Sequence, residues 1–99
     1  MGGIKETMNH YVYMILCSNN NYYTGYTTDI ERRYKEHERG TDKCRYTRSF
    51  PPVKLAAYWR FDNKSAALKT EIKIKKLSRD NKIKLIMDKN LIVMLKDEK

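Results

Sequence analysis

The sequence predicts an α+β domain, a small three-stranded antiparallel sheet flanked by helices in the order ββαβαα. Two observations lead to this class. Two β-favouring runs stand close together at the start of the chain, as the strands of a hairpin do. The helical segments that follow surround a single further strand, so the order does not repeat as the units of a doubly wound sheet do.

Two strands joined by a tight turn are predicted near the start of the chain. Residues 11–17 read YVYMILC, a continuous apolar run, and residues 22–26 read YYTGY. The cluster SNNN at 18–21 separates them and contains residue types that form tight turns. The two segments are therefore predicted to form an antiparallel hairpin.

The register of this hairpin decides which tyrosines share a face, and two arrangements remain open. A two-residue turn at Asn19-Asn20 would pair Tyr13 with Tyr26. Tyr23 would then lie on the face opposite Tyr13. A slip or bulge of one residue would instead bring Tyr13 and Tyr23 to the same face.

A helix is predicted to begin at Thr28 and to end near Arg39. Thr28-x-x-Glu31 has the form of a capping box, in which the two side chains satisfy unpaired backbone donors of the first turn. Gly40 is a typical stop signal. Residues 40–52 contain Gly, Asp, Ser and a Pro-Pro pair, so they are predicted to form a loop.

The third strand is predicted at residues 53–61, VKLAAYWRF. Every second residue is apolar and would lie on one face: Val53, Leu55, Ala57, Trp59 and Phe61. A helix capped by Asn63 or Ser65 is predicted to follow and to run through residue 77. A last helix, opened by Ser78 or Asp80, is predicted to end near residue 87.

The chain is predicted to hold one domain, because 99 residues are too few for two separate cores. We divide it into a loose N-terminal extension at 1–8, the domain at 9–88 and a C-terminal tail at 89–99. The tail is compatible with a helix, an edge strand or a loose segment.

The composition indicates a polyanionic partner. The chain contains 21 Lys and Arg against 12 Asp and Glu, which gives a net charge of +9 and a pI near 9.6. Solubility alone could account for a positive charge. The cations are dense between residues 32 and 84, however, and aromatic residues are interleaved with them. This mixture favours contact with nucleic-acid phosphates.

Several other classes of protein are excluded by the sequence. Cys17 and Cys44 form no CxxC pair and the chain has 2 histidines, so neither a disulfide framework nor a structural zinc site is expected. No signal segment precedes the first strand, and no apolar run approaches the ~20 residues that span a bilayer. We expect a reduced, cytoplasmic monomer that needs no membrane and no small-molecule cofactor.

The first predicted helix places two polar side chains one turn apart. Ile30, Arg33, Tyr34 and His37 lie at i, i+3, i+4 and i+7, and therefore on one face. Ile30 and Tyr34 would anchor this face on the sheet, with Arg33 and His37 at its margin. An arginine beside a histidine can bind a phosphate and move a proton, although His37 by itself could simply pack.

A carboxylate in the second predicted helix faces the body of the domain. This helix has a broad apolar arc that consists of Ala67, Leu68, Ile72, Ile74 and Leu77. Glu71 falls within that arc rather than among the lysines of the opposite face. An inward carboxylate needs a partner, and Lys75, four residues on, is the plainest one.

The hairpin and the first helix together resemble the GIY-YIG nuclease superfamily. YVYMILC at 11–17 and YTGYTTDIERRYKEH at 23–37 match its small single-domain bacterial group, which is UPF0213-like and resembles the N-terminal domain of the excision-repair nuclease. KCRYTRSFPPVKL at 43–55 is also similar, so that the resemblance extends over about residues 11–86. Tyr11 replaces the glycine of the first tripeptide, a residue that this group commonly lacks.

The resemblance implies a catalytic site and a single divalent ion, Mg²⁺ or Mn²⁺. Arg33 would bind the scissile phosphate, and Glu71 would be the one protein carboxylate on the metal. Tyr13 would act as the base, Tyr23 would position water or phosphate, and His37 would assist. An ordinary tyrosine has a pKa of about 10, so Tyr13 is expected to need nearby cations that lower this value.

The implied function is a metal-dependent DNA endonuclease, structure-selective or weakly specific, for repair or processing of double-stranded or branched DNA. Basic residues around the site would contact the DNA: Arg32, Lys35, Lys43, Arg45, Arg48, Lys75 and Lys76. A binding module that keeps this fold without turnover would explain the charge equally well. An adaptor that binds an acidic protein is a third alternative, and it would show an apolar patch beside the charge.

Overall fold

The computed structural model describes residues 9–96, so the predicted extension at 1–8 lies outside the described residues. Three strands, β1 to β3, and five helices, α1 to α5, follow one another along this part of the chain. Their bounds are β1 His10–Cys17, β2 Tyr22–Thr27, α1 Ile30–Arg39, α2 Arg45–Ser49, β3 Pro52–Phe61, α3 Lys64–Lys75, α4 Arg79–Met87 and α5 Ile92–Lys96. Short 3-10 turns precede α2 and α5. The predicted α+β class is confirmed.

The sheet is antiparallel, with β1 between β2 and β3. Tyr13 pairs with Gly25, and Ile15 pairs with Tyr23, which places Tyr13 and Tyr23 on the same face. The turn produces this register, because Cys17 N donates to Asn21 O at 2.8 Å and leaves a loop at 18–20. The shifted arrangement of the hairpin is therefore the one adopted.

A bulge divides β3 between the two faces of the sheet. Met14 of β1 pairs with Ala57, but the next residue, Ile15, pairs with Leu55, so Ala56 has no partner. Ala57 therefore packs with Met14, while Leu55 packs on the other face beside Ile15. The prediction of a single apolar face from residue 53 to 61 is wrong for this reason, and Val53 is exposed.

Side-chain caps begin three of the helices. The cap of α1 is Asp29, whose side chain accepts from Arg32 N at 3.0 Å, and not the predicted Thr28. Gly40 ends α1 with a φ of 68°, a conformation that favours glycine. Asn63 caps α3 and Ser78 caps α4, each one of the two predicted candidates.

The predicted loop at 40–52 is largely helical. A 3-10 turn at Asp42–Cys44 leads into α2, which buries Thr47 and packs against α1. The turn-forming residues, which predicted a loop, lie at the two ends of this segment. The residues between them form the short helix α2. α2 thereby brings Thr47 to the side chain of His37.

Two cores lie on the two faces of the sheet. On what we call the α3 face, Val12 and Met14 pack with apolar residues of β3 and with Ile74 of α3. On what we call the α1 face, Tyr13 and Ile15 are buried beneath α1. Leu91, Ile92 and Leu95 add to the α3 face, where Ile92 is 7% exposed. No helix within residues 9–96 has the length and apolar character of a membrane span.

Candidate active site

A chain of hydrogen bonds joins β1, α1 and α2 on the α1 face. The hydroxyl of Thr47 donates to Cys44 O at 3.1 Å, so its oxygen is free to accept from His37 Nδ1 at 2.6 Å. A neutral imidazole carries one proton, which leaves His37 Nε2 as an acceptor. The Tyr13 hydroxyl lies 2.8 Å from Nε2 and donates to it. The contacts of Thr47 thus decide which nitrogen of His37 can receive a proton.

Burial keeps both partners of this contact neutral. The pKa of His37 is lowered from 6.5 to about 4, first by burial and second by the charge of Arg33. The pKa of Tyr13 is raised, because burial and the neighbouring Tyr23 outweigh the opposing effect of Arg33. Tyr13 was expected to need nearby cations that lower this pKa; Arg33 acts in that direction, but it does not bring the pKa below the ordinary value. Tyr13 is a neutral phenol at pH 7 and holds its proton toward His37.

Gly25 leaves room for the Tyr13 ring next to β2. A Cβ atom built on Gly25 would come within 2.5 Å of the Tyr13 hydroxyl oxygen, closer than real side chains approach one another. The glycine of the second tripeptide is therefore required by a close approach rather than by its backbone angles. Any larger residue would displace the Tyr13 hydroxyl from His37.

Arg33 holds a permanent charge beside the Tyr13 hydroxyl. It lies on α1 one turn before His37, and its Nε is 2.9 Å from Glu36 Oε1. Its charge acts on the Tyr13 hydroxyl and opposes the rise in the pKa of that group. Burial disfavours its charge, but Tyr13 and Glu36 outweigh burial and raise the pKa of Arg33. Arg33 is half-buried, as predicted for the margin of the helix, whereas His37 is 1% exposed and lies fully inside.

Tyr23 connects the hydrogen-bonded chain to α3. Its ring lies 5.0 Å from the ring of His37 and 6.3 Å from that of Tyr13. Burial raises the pKa of the Tyr23 hydroxyl, and the charge of Lys75 partly opposes the shift. Glu71 also acts on this pKa, which places α3 within electrostatic range of the site. Tyr13, Tyr23, Arg33 and His37 therefore lie together, and Glu71 acts on Tyr23 through its charge.

Glu71 faces inward as predicted, and its side chain is 15% exposed. Lys75 Nζ lies 3.2 Å from Glu71 Oε2, so the partner expected from the spacing is the one present. The predicted apolar arc of this helix is wrong at Ile72, which is 53% exposed. Thr70 is buried instead, and its hydroxyl donates to Ala66 O at 2.9 Å.

The donor set at Glu71 fits one kind of metal ion. Within residues 9–96 no group of three or more His, Cys, Asp and Glu side chains could hold a metal. A structural zinc ion needs such a group, whereas Mg²⁺ is commonly held by one or two carboxylates, its own waters and substrate phosphates. A single inward carboxylate, Glu71, suits the second kind of ion.

A cleft of about 440 Å³ opens next to Tyr23, and Lys75 lines it together with Arg79 and Lys82. Lys75 is the one residue of the predicted DNA-binding set that lines this cleft. The others are spread over the surface and are exposed: Arg32, Lys35, Lys43, Arg45, Arg48 and Lys76. Arg48 also pairs with Asp42 at 2.9 Å.

Sequence reasoning missed Thr47, Arg79 and Lys82. Thr47 acts through a contact with His37, ten residues away, that depends on the fold of α2. Arg79 and Lys82 reach the site because α4 follows α3 after a short turn. The signal for Thr47 was its place in KCRYTRSF, a segment that already matched the family and carried no assigned role.

Comparisons with known proteins identify the family of the chain. Residues 9–84 match the model of the GIY-YIG catalytic domain. A UPF0213 protein of Natronomonas pharaonis is 49% identical over 79 residues, which are 80% of this chain and 92% of that protein. A UPF0213 protein of Listeria monocytogenes is 48% identical, over 80% of this chain and 88% of its own length.

A solved structure is similar over most of the chain. The solution NMR structure of a UPF0213 protein from Bacillus halodurans is 45% identical and superimposes with a TM-score of 0.53. The match covers 81% of this chain and 84% of that one. With the family model matched over residues 9–84, the chain belongs to the GIY-YIG nuclease family.

Proposed function

We propose that the protein is a metal-dependent endonuclease that hydrolyses DNA phosphodiesters, structure-selective or weakly specific, and acts in DNA repair or processing. The observation that carries this proposal is the hydrogen-bonded chain from Tyr13 through His37 to Thr47, with Arg33 beside it. A phenol that donates to a neutral imidazole can pass on a proton, which hydrolysis of a phosphodiester needs and DNA binding alone does not.

This chain provides a route for a proton. A water that attacks phosphorus gives its proton to the Tyr13 hydroxyl oxygen, while Tyr13 passes its own proton to His37 Nε2. No free phenolate forms, so the raised pKa of Tyr13 does not prevent the transfer. His37 becomes an imidazolium, and Thr47 keeps accepting from Nδ1 throughout.

The charges around the chain determine when this transfer is favourable. Without substrate, burial and Arg33 disfavour an imidazolium at His37. A bound phosphodiester brings a negative charge that interacts with Arg33 and offsets its effect on His37. The proton acceptor therefore becomes more basic when DNA is in place. Arg33 also stabilises the additional charge that develops on the phosphate oxygens.

Glu71 is the residue that would hold the divalent ion, Mg²⁺ or Mn²⁺. When bound, the ion supplies charge neutralisation and stabilisation of the leaving oxygen. Lys75 competes for the same carboxylate, since it lies 3.2 Å from Glu71 Oε2. When the ion binds Glu71, Lys75 would be released and could contact the DNA. Binding of the metal ion and binding of the DNA would then favour each other.

The test is cleavage of a plasmid and of a branched duplex with Mg²⁺ or Mn²⁺. Arg33→Ala and Glu71→Ala should each lower the rate at least about 100-fold, since each removes a group that stabilises the transition state. Arg39→Ala and Glu38→Ala are matched controls, because both residues are exposed on the same helix as Arg33. They should leave the rate unchanged.

Two results would count against the proposal. If the natural protein cleaves neither substrate but still retards DNA in a gel, the domain is a binding module without turnover. If cleavage survives both Arg33→Ala and Glu71→Ala, the assigned roles are wrong. In either case the affinity for DNA should fall steeply with salt, because phosphate contacts dominate binding by so small a basic domain.

A further inference from the structure

The cleft beside Tyr23 gathers cations that the proposed reaction leaves without a role. Arg79 and Lys82 of α4 line it together with Lys75 of α3. Like charges repel one another, so cations around a single hollow destabilise the protein until an anion enters. Lys75 is paired with Glu71, but Arg79 and Lys82 have no carboxylate partner within residues 9–96.

Arg79 is held in place by neutral groups. Its Nε donates to Asn20 O at 3.0 Å, and its guanidinium lies 5.7 Å from the centre of the Tyr22 ring. These contacts leave the two terminal nitrogens of the guanidinium without a hydrogen-bond acceptor within residues 9–96, and those nitrogens form the part of arginine that pairs with phosphate oxygens. Lys82 is half-buried, and this burial lowers the pKa of its ammonium.

Thr24 supplies a second, independent observation. It lines the same cleft from β2, and its residue is 3% exposed. Its hydroxyl oxygen is buried and has no hydrogen-bond partner within the described residues. A buried hydroxyl without a partner costs free energy, so such groups usually have a ligand or a function.

We propose that this cleft binds a phosphate group of the DNA strand, next to the phosphate that is cut, through Arg79, Lys82 and the Thr24 hydroxyl. The inference deepens the proposed function and rests on it for the identity of the strand. Tyr23 borders the cleft on one side and lies 5.0 Å from the His37 ring on the other. One strand can therefore pass from the cleft to the proton route.

Binding without cleavage tests the site. A short fluorescent DNA is titrated with protein in EDTA, and its anisotropy is measured at two salt concentrations. Arg79→Gln and Lys82→Gln should each weaken binding about tenfold and lower the salt slope by about one. Lys84→Gln is the matched control, because Lys84 lies on the same helix as Lys82 and is exposed. It should have little effect.

Thr24→Val separates a ligand role from a structural one. Valine has the same shape as threonine but lacks the unpartnered hydroxyl, so the melting temperature should stay the same or rise. DNA binding should nevertheless weaken about fivefold, the effect of one lost hydrogen bond. A structural role for the hydroxyl predicts the opposite pair of results, and would overturn the assignment of Thr24.

The proposal fails if Arg79→Gln and Lys82→Gln bind DNA as Lys84→Gln does. It also fails if they lose affinity for inorganic phosphate alone, measured by NMR titration against chloride, and keep their affinity for DNA. These outcomes do not depend on turnover. If the natural protein cleaves DNA and both variants bind DNA normally, the phosphate site in the cleft is wrong but the proposed nuclease activity stands. If binding depends on the cleft but no DNA is cleaved, the proposed nuclease activity is wrong.

Discussion

The two faces of the sheet bury opposite kinds of groups. On the α3 face, Val12, Met14 and Ile74 have no exposed surface and pack in an apolar cluster. On the α1 face, Tyr13 and His37 are buried to almost the same degree, but their polar atoms are joined to one another. Apolar burial stabilises a domain, whereas a buried polar chain at best offsets the cost of its own desolvation.

Because of this difference, neighbouring residues of β1 have different roles. Met14 follows Tyr13 directly in β1, and the pleat of the strand turns their side chains to opposite faces. The α3 face therefore supports the fold, and the α1 face keeps polar groups that stability alone does not require. Substitutions of these two neighbours should affect different properties of the protein.

The largest effect is expected from Tyr13→Phe. The variant keeps the ring but removes the hydroxyl that transfers a proton to His37, so DNA cleavage should fall about 1,000-fold. His37 Nε2 loses its donor, and the free energy of unfolding should fall by only about 1 kcal/mol. Initial rates and urea unfolding measure the two effects. A rate within about tenfold of the natural one would show that the hydroxyl is not on the proton route.

Met14→Ala should show the reverse pattern. Removal of this buried side chain leaves a cavity in the α3 face, and the free energy of unfolding should fall by about 3 kcal/mol. The cleavage rate per folded molecule should not change, since the Met14 side chain lies on the face opposite Tyr13 and His37. Urea unfolding measures the stability, and the cleavage rate divided by the concentration of folded protein measures the activity. A large loss of rate in the folded variant would break the separation of the two faces.

The hairpin shows how far the sequence could predict this site. Its two strands and the shared motif were evident, but the face of Tyr23 depended on one residue of register. The register is set at Asn20, which adopts a φ of 66° at the end of the loop. Asparagine tolerates that conformation, but the same SNNN sequence allows other turns.

Other parts of the site depend on contacts between distant segments. The sequence predicted the faces of α1 and the inward position of Glu71, because both follow from helical periodicity. It did not predict Thr47 as the partner of His37, or the bulge that turns Leu55 onto the α1 face. Periodicity describes one element at a time, whereas these features arise where two elements meet.

The pH dependence of cleavage should reflect the burial of His37 on the α1 face. Near neutral pH, the cleavage rate should change less with pH than it does with the Tyr13→Phe substitution. His37 accepts a proton, so only its neutral form is active. Burial lowers its pKa from 6.5 to about 4, which keeps it neutral in the free enzyme at pH 5 and 6. The acid limb of kcat/KM should therefore have its midpoint near pH 4, with a tenfold loss per pH unit below it.

Stability should respond to the same group over a wider range. In the unfolded chain this histidine is protonated below about pH 6.5, whereas in the folded protein it is protonated only below about pH 4. The unfolded state thus holds more protons in this window, so the free energy of unfolding falls as the pH drops through it. His37→Asn should remove this part of the dependence, as measured by urea unfolding, together with the acid limb of cleavage. A limb near pH 6.5 in the natural protein, or one that survives His37→Asn, would mean that a solvated group rather than the buried imidazole receives the proton.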